Sequence, residues 1–238
     1  ILILKQLNNQ MNILCIIPAR SGSKGIKNKN LQKIKKKKSL IELAFDIAKK
    51  SELFDKIIVS TDSKYYQKIL KKKIPIDFLR PKMLSGDKVN DLDVMKFELT
   101  RYQKFYQKKF DAVCLLQPTS PFRRVSDLKS CYKSFKKNKL DAVWTVSKID
   151  NKYHPIKILK SNKRYLTYHD KDGSKFINRQ SLSEIFIRNG IAYFFSTKTI
   201  LIYKSILPKK SGYLIINRKI VNIDTPQDLL MAKELIKK

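Results

Sequence analysis

Short apolar runs alternate along this chain with segments of helical period, and that alternation limits the possible folds more than any other feature. "NILCIIP" (12–18), "KIIVS" (56–60), "DAVCLLQ" (111–117), "DAVWTVS" (141–147) and "NGIAYFFS" (189–196) are short and rich in β-branched or aromatic residues, the pattern of buried strands. Between them, "SLIELAFDIAKK" places Leu40, Leu43, Ala44 and Ile47 on one face, and Ser39 and Glu42 have the spacing of a capping box. "TDSKYYQKILKKK" reads as loop then helix, and Leu92, Met95, Leu99 and Tyr102 repeat the helical spacing in the next such segment. "SDLKSCYKSFKKN" reads as a helix capped by Ser126, and "IDFL" (76–79) as a short strand. A strand "KIVNID" is expected near the end, followed by a helix with Thr225 as N-cap, Pro226 in its first position and Asp228 behind them. The alternation predicts an α/β fold, a mostly parallel twisted sheet with helices on both faces.

The rhythm breaks between about 148 and 188, where "KILKSNKRYLTYHDKDG" reads as a hairpin turning near Asp172 and Gly173, so an inserted element is expected there. Residues 11–238 otherwise read as one domain. Residues 1–10 lack the pattern of a signal peptide, and the expectation is an upstream extension before a natural start at Met11. Cys15, Cys114 and Cys131 are an odd set, two of them inside apolar runs. Buried thiols fit better than a disulfide or zinc framework, which predicts a cytoplasmic protein. No apolar run reaches the ~18 residues of a membrane span. The formal net charge is +32, but the lysines stand in runs such as Lys35 to Lys38 and Lys71 to Lys73 without interleaved aromatics. Such runs read as solvated surface rather than as a nucleic-acid site, and their field attracts anionic substrates.

In a parallel sheet the ligand sits outside the carboxyl ends of the strands. That rule selects Arg20 to Asn30, Thr61 and Asp62, Gln117 to Arg123, and Asp224. The first of these stretches, in "IIPARSGSKGIKNKN", matches neither G-x-G-x-x-G nor G-x-x-x-x-G-K-[ST]. Ser21, Gly22, Ser23 and Gly25 nevertheless let backbone N–H groups approach an oxyanion, while Arg20, Lys24 and Lys29 add charge, as a polyphosphate requires. The plainer alternative is a strand-to-helix turn on a Lys-rich chain. Asp62 either orients a ribose or caps the next helix, and the cap is the simpler expectation. Gln117 can both donate and accept, and Pro118 and Pro121 stiffen the loop around Thr119 and Ser120. Asn222 and Asp224 fall on one side of a strand, where two oxygens can share a hard cation such as Mg²⁺. Asp224 alone would also suit a position before a helix N-terminus.

"IIPARSGSKGIKNKN", "IIVSTD", "LRP", "LLQPTSPFR", "RQ" at Arg179 and Gln180, "RNGIAYF" and "NIDTPQDL" follow one another in the order and spacing of the acylneuraminate cytidylyltransferases, also called CMP-sialic acid synthetases. The chain resembles that family from Met11 to its end. The resemblance implies a Rossmann-like sugar nucleotidyltransferase fold with a small inserted dimerisation element, and a homodimer. It implies a reaction of CTP with a nine-carbon 2-keto sugar acid of the N-acetylneuraminic, legionaminic or pseudaminic type, giving the CMP-sugar and pyrophosphate. Arg20, Ser23, Lys24, Lys29 and Asn30 would hold the nucleotide with Arg80 assisting, and Gln117, Arg179 and Gln180 would face the sugar. Asp224 with Asn222 would bind Mg²⁺ or Mn²⁺, and Lys24, Asp224 and Arg20 would matter most for catalysis. The chain departs from the family pattern at Asn222, where aspartate is usual, at Lys27, where proline is common, and at "GDKVND", which replaces a small-residue stretch. Those departures keep a second class open, a basic nucleic-acid-binding module or an inactive homologue on the same fold.

Overall fold

A computed structural model describes residues 11–35, 37–175 and 182–237. Its strands are β1 (Ile13–Pro18), β2 (Lys33–Lys35), β3 (Lys38–Ser39), β4 (Lys56–Ser60), β5 (Ala112–Leu115), β6 (Ala142–Lys148), β7 (Leu159–Asn162), β8 (Tyr165–Tyr168), β9 (Phe186–Ser196) and β10 (Ser211–Ile215). The α-helices are α1 (Leu40–Ser51), α2 (Lys64–Leu70), α3 (Asp91–Tyr106), α4 (Val125–Lys137) and α5 (Pro226–Lys237).

The main sheet runs in the order β10-β6-β9-β5-β1-β4. β1 is parallel to β4 and β5, and β10 is parallel to β6, whereas β9 runs antiparallel between β5 and β6. The sheet is therefore mostly parallel, as the alternation predicts. Continuous apolar runs in β1 and β5 are explained by burial on both faces. Ile13, Cys15 and Ile17 point to one side, where Ile41, Ala44 and Ala48 of α1 and Leu128, Cys131 and Phe135 of α4 cover them. Leu14 and Ile16, one residue out of phase, meet Met95, Leu99 and Tyr102 of α3 on the other side. The three cysteines are buried free thiols, and burial pushes the Cys131 thiol far up. No helix among the described residues is long and apolar enough to cross a membrane.

Four local expectations are corrected. "IDFL" forms no strand and pairs with none among the described residues. "KIVNID" is likewise no strand: the last one is β10, and the later segment crosses the carboxyl end of the sheet, where Ile223 N–H donates to Thr119 O at 2.9 Å. Its Val221 and Ile223 are apolar because they pack with Ile26, Leu40, Leu229 and Ala232 beneath α5. The N-cap position of α4 is Arg124, not Ser126, and the Asp127 carboxylate accepts from Arg124 N–H at 2.7 Å. The expected hairpin is β7–β8, but it turns at Lys163, which takes a left-handed φ of 54°, rather than near Asp172 and Gly173.

Candidate active site

β1 hands its chain to the loop at Ala19, whose N–H donates to Ser60 O of β4 at 2.8 Å. Asp62 then fixes the loop's first turn, accepting from Ser21 N–H and Ser21 Oγ at 2.9 Å each. This overturns its expected role as a cap, because α2 is capped by Ser63, which accepts from Tyr66 N–H. At the loop's far end the buried Asn30 donates through Nδ2 to Arg20 O at 3.2 Å, tying base to base. Gly25 lies so close to the last segment that a Cβ there would stand 2.6 Å from Asp224 O. The loop is thus held open between the Thr61–Asp62 end of β4 and the Asn222–Asp224 segment.

The resulting cleft has a volume of about 540 Å³ at the carboxyl ends of the strands. Arg20, Ser23, Lys24, Lys29, Asn30, Arg80, Gln117, Asn222 and Asp224 all line it. Residues far apart in sequence but chosen for one chemistry therefore meet in one place. Arg179 and Gln180, expected at the sugar, lie outside the described residues.

The three loop cations that line the cleft each have an acidic partner. Arg20 Nη1 and Lys24 Nζ reach the two oxygens of Asp87 at 2.8 and 2.6 Å, and Lys29 Nζ reaches Asp224 Oδ1 at 2.9 Å. Lys24 first and Arg20 second hold the Asp87 carboxyl below the usual range. Arg80 is buried; its N–H donates to Thr61 O at 2.7 Å and its Nε to Ser85 Oγ at 3.2 Å. Burial lowers its pKa, with the charges of Glu98 and Asp62 opposing. Asp91 opens α3 with its carboxylate 3.5 Å from Gln117 Nε2. Burial raises its pKa, against the pull of Arg188, Gln117 and Arg80.

Behind the cleft lies a buried polar network whose Ser120 and Arg123 fall in the selected stretch Gln117 to Arg123 but whose bonds sequence reasoning missed. Arg123 donates through Nη2 to Gln117 O at 2.9 Å and to Gly190 O at 2.7 Å, and through Nε to Ile191 O. Burial lowers its pKa to about 10. Ser120 Oγ meets Asn189 O at 2.8 Å and the Asn222 side-chain oxygen at 2.7 Å. Gly190 has a φ of 70°, and a Cβ on it would come 2.2 Å from Ser120 Oγ. Asp87 and Asp91 were also missed as individual residues, although both sit in the "GDKVND" stretch whose departure from the family pattern was visible.

The donor set at the end of the cleft suits a hard divalent cation. Asp224 supplies a largely exposed carboxylate and Asn222 an amide, and Mg²⁺ commonly takes one or two protein oxygens with phosphates and water completing its shell. Among the described residues no group of three or more His, Cys, Asp or Glu side chains forms a metal cage, so any ion held here would depend on the substrate's own oxygens.

The cytidylyltransferase family matches the chain over residues 14–237. Post-translational flagellin modification protein B of Campylobacter coli is 32% identical, the match covering 94% of this chain and 95% of that protein. The N-acylneuraminate cytidylyltransferase of Escherichia coli is also 32% identical over 92% of this chain, which spans only 51% of that longer protein. A solved CMP:2-keto-3-deoxy-manno-octonic acid synthetase complexed with CTP superposes with a TM-score of 0.68 at 15% identity, covering 95% of this chain and 98% of the other. At that identity the likeness speaks for the fold.

Proposed function

This chain belongs to the cytidylyltransferase family, and from that premise we propose that it joins CTP to a nine-carbon 2-keto sugar acid, releasing pyrophosphate and leaving a CMP-sugar. The observation that carries the reading is the convergence of Arg20, Lys24 and Lys29 on one cleft with Gln117 and Asp224. Such a set has little use except to receive a polyanion beside a second, polar substrate. N-acylneuraminate cytidylyltransferases among the relatives favour a sugar acid as that substrate, of the N-acetylneuraminic, legionaminic or pseudaminic type.

In this mechanism the triphosphate displaces Asp87 from Arg20 and Lys24, and the Gly25 N–H and the Ser23 hydroxyl complete its seat, the expected N–H groups of Ser21 and Ser23 being already committed to Asp62 and Ser21 O. Asn30 keeps the loop closed at its base, and Arg80 borders the nucleotide. The anomeric hydroxyl of the sugar attacks the α-phosphorus in line and gives up its proton to water, the bond between that phosphorus and the bridging oxygen to the β-phosphate breaks, and pyrophosphate leaves with the electron pair. Arg20, Lys24 and Lys29 stabilise the charge that grows on the phosphoryl oxygens. A divalent cation, Mg²⁺ or Mn²⁺, held by Asp224 and Asn222 would supply further charge neutralisation. Gln117, with Arg179 and Gln180, would orient the sugar acid, an arginine being suited to its carboxylate.

We place the reaction in the cytoplasm, where CTP is made, and assign the molecule as a homodimer. The support for the dimer is the β7–β8 hairpin, whose Leu159, Leu166 and Tyr168 are exposed on one face, an apolar surface fitted to a second copy. Pyrophosphate release with CTP and a panel of nine-carbon keto sugar acids tests the function. Lys24→Ala and Asp224→Ala should each lower kcat/KM by roughly 100-fold, the scale of losing one preorganised charge-stabilising group. Silence across the panel with both Mg²⁺ and Mn²⁺, in protein that binds DNA in a salt-sensitive manner, would instead favour a binding module.

A further inference from the structure

Ser120 Oγ lies 2.8 Å from Asn189 O and 2.7 Å from the Asn222 side-chain amide at the position of Oδ1. A hydroxyl carries one proton, and a backbone carbonyl can only accept. With Oδ1 facing Ser120, both neighbours require that same proton. One pair of oxygens would then touch with no hydrogen between them, at a serine whose side chain is fully buried and that has no water to turn to. A half turn about the Asn222 Cβ–Cγ bond removes the conflict. Ser120 then donates to Asn189 O, and Asn222 Nδ2 donates to Ser120 Oγ. The two ends of an amide differ little in size, so the half turn leaves the packing unchanged.

The surroundings leave Ser120 no other arrangement. A Cβ on Gly190 would come 2.2 Å from its Oγ, Arg123 locks the Gly190 and Ile191 carbonyls, and Ile223 N–H pins Thr119 O next door. We infer that Ser120 is a positioning residue that turns the carbonyl oxygen of Asn222 into the cleft. This inference rests on the reading that the Asn222–Asp224 segment meets the metal–nucleotide. It explains how a neutral amide serves where the family pattern has a carboxylate: the cleft still receives an oxygen ligand there, with one less charge. With the opposite orientation the cleft would receive an NH₂ group, which cannot bind a cation.

The test begins without metal or nucleotide. In protein carrying ¹⁵N in its asparagine side chains, with the Asn222 signal identified by its loss in Asn222→Asp, exchange of the Asn222 amide protons with water is followed by NMR. Slow exchange in the wild type, accelerated about tenfold in Ser120→Ala by loss of one ordinary hydrogen bond, is the expected result. Fast exchange in the wild type overturns the inference, and that measurement needs no variant to fold. Mn²⁺ binding in the presence of CTP, read by electron paramagnetic resonance, follows. Ser120→Ala should weaken it several-fold while leaving metal-free CTP binding unchanged. If Asp224→Ala weakens Mn²⁺ binding and Ser120→Ala does not, the positioning role is refuted and the metal site stands. If Asp224→Ala has no effect on Mn²⁺, the metal site falls, and amide exchange still decides which way Asn222 faces.

Discussion

At the scale of single residues, Asp87 sets the charge balance of the cleft. Its carboxylate holds both Arg20 and Lys24, so a triphosphate must take those cations from it. Lys24 is 82% exposed and Asp87 46%, and pairs so open to water are weak and screened by salt. Asp87→Asn should therefore tighten metal-free CTP binding by about twofold to fivefold at low ionic strength, with the gain lost in high salt. Calorimetric titration reads this directly, and weaker binding in the variant would show that Asp87 itself contacts the nucleotide. Gly25 gives a second prediction. An alanine Cβ would meet the backbone oxygen of Asp224 at 2.6 Å, and a backbone atom cannot swing aside as a side-chain tip can. Gly25→Ala should cost about 1–3 kcal/mol of stability and lower turnover with it, while Gly22→Ala, with no atom within 4 Å of the added Cβ, should leave stability nearly unchanged. Thermal melts of both variants decide the matter. Gly25 shows both the reach and the limit of sequence reading: the glycine is legible as a place of close backbone approach, but the partner it approaches is another segment of the chain, almost two hundred residues away.

At the scale of elements, most signals made by sequence neighbours were legible, although the caps of α2 and α4 stand at Ser63 and Arg124 rather than at Asp62 and Ser126. The capping box of α1 is present, with Glu42 accepting from Ser39 N–H at 2.8 Å and Ser39 Oγ accepting from Glu42 N–H. The start of α5 is equally plain, with Asp228 accepting from Thr225 N–H at 2.8 Å and Thr225 Oγ1 accepting from Asp228 N–H. The other misreadings arose where the outcome depends on a distant partner. "IDFL" and "KIVNID" carry strand-like composition, but a strand also needs a partner in register, and the described sheet ends at β4 and β10 without them. Gly173 is the obvious turn residue, yet the hairpin uses Lys163 because that position sets the β7–β8 register. Glu42 also yields a pH prediction. Burial pushes its carboxyl up, but bonds from Lys73 and Ser39 outweigh that and leave it below the usual value. The unfolded chain then binds the proton more tightly, so the stabilisation is complete above the unfolded pKa and is lost as pH falls through the lower folded value. Glu42→Gln should thus cost about 1 kcal/mol at neutral pH, a figure discounted because the Lys73 end of the pair lies in water. Urea unfolding of the two proteins should converge in acid, and a gap that persists in acid would assign the loss to packing instead of charge.

At the scale of the whole molecule, the topology rule for parallel sheets picked out Arg20, Lys24, Lys29, Gln117 and Asp224 at one end before any contact was known, whereas Arg80 entered through the family resemblance and Asn222 through its two-residue spacing from Asp224. The Ser120, Arg123 and Gly190 network behind them stayed hidden, because its bonds join segments that only the folded chain brings together. The net charge of +32 belongs to this scale as well. Lys71 and Lys72 are exposed, and neither lines the cleft, so any effect they have on a triphosphate acts through the long-range field. Fields of this kind raise the local concentration of anions and fade as salt shortens the screening length to ~10 Å at 0.1 M. A Lys71→Glu, Lys72→Glu double variant should lower kcat/KM for CTP by about twofold to threefold at low ionic strength and not at high, because screening removes distant charges first. The turnover number at saturating CTP should not move, since the groups that stabilise the transition state are untouched. A fall in turnover itself would place these lysines in contact with the reacting system. Unchanged CTP kinetics with lost affinity for DNA would mean that the lysine surface serves nucleic acid rather than the nucleotide.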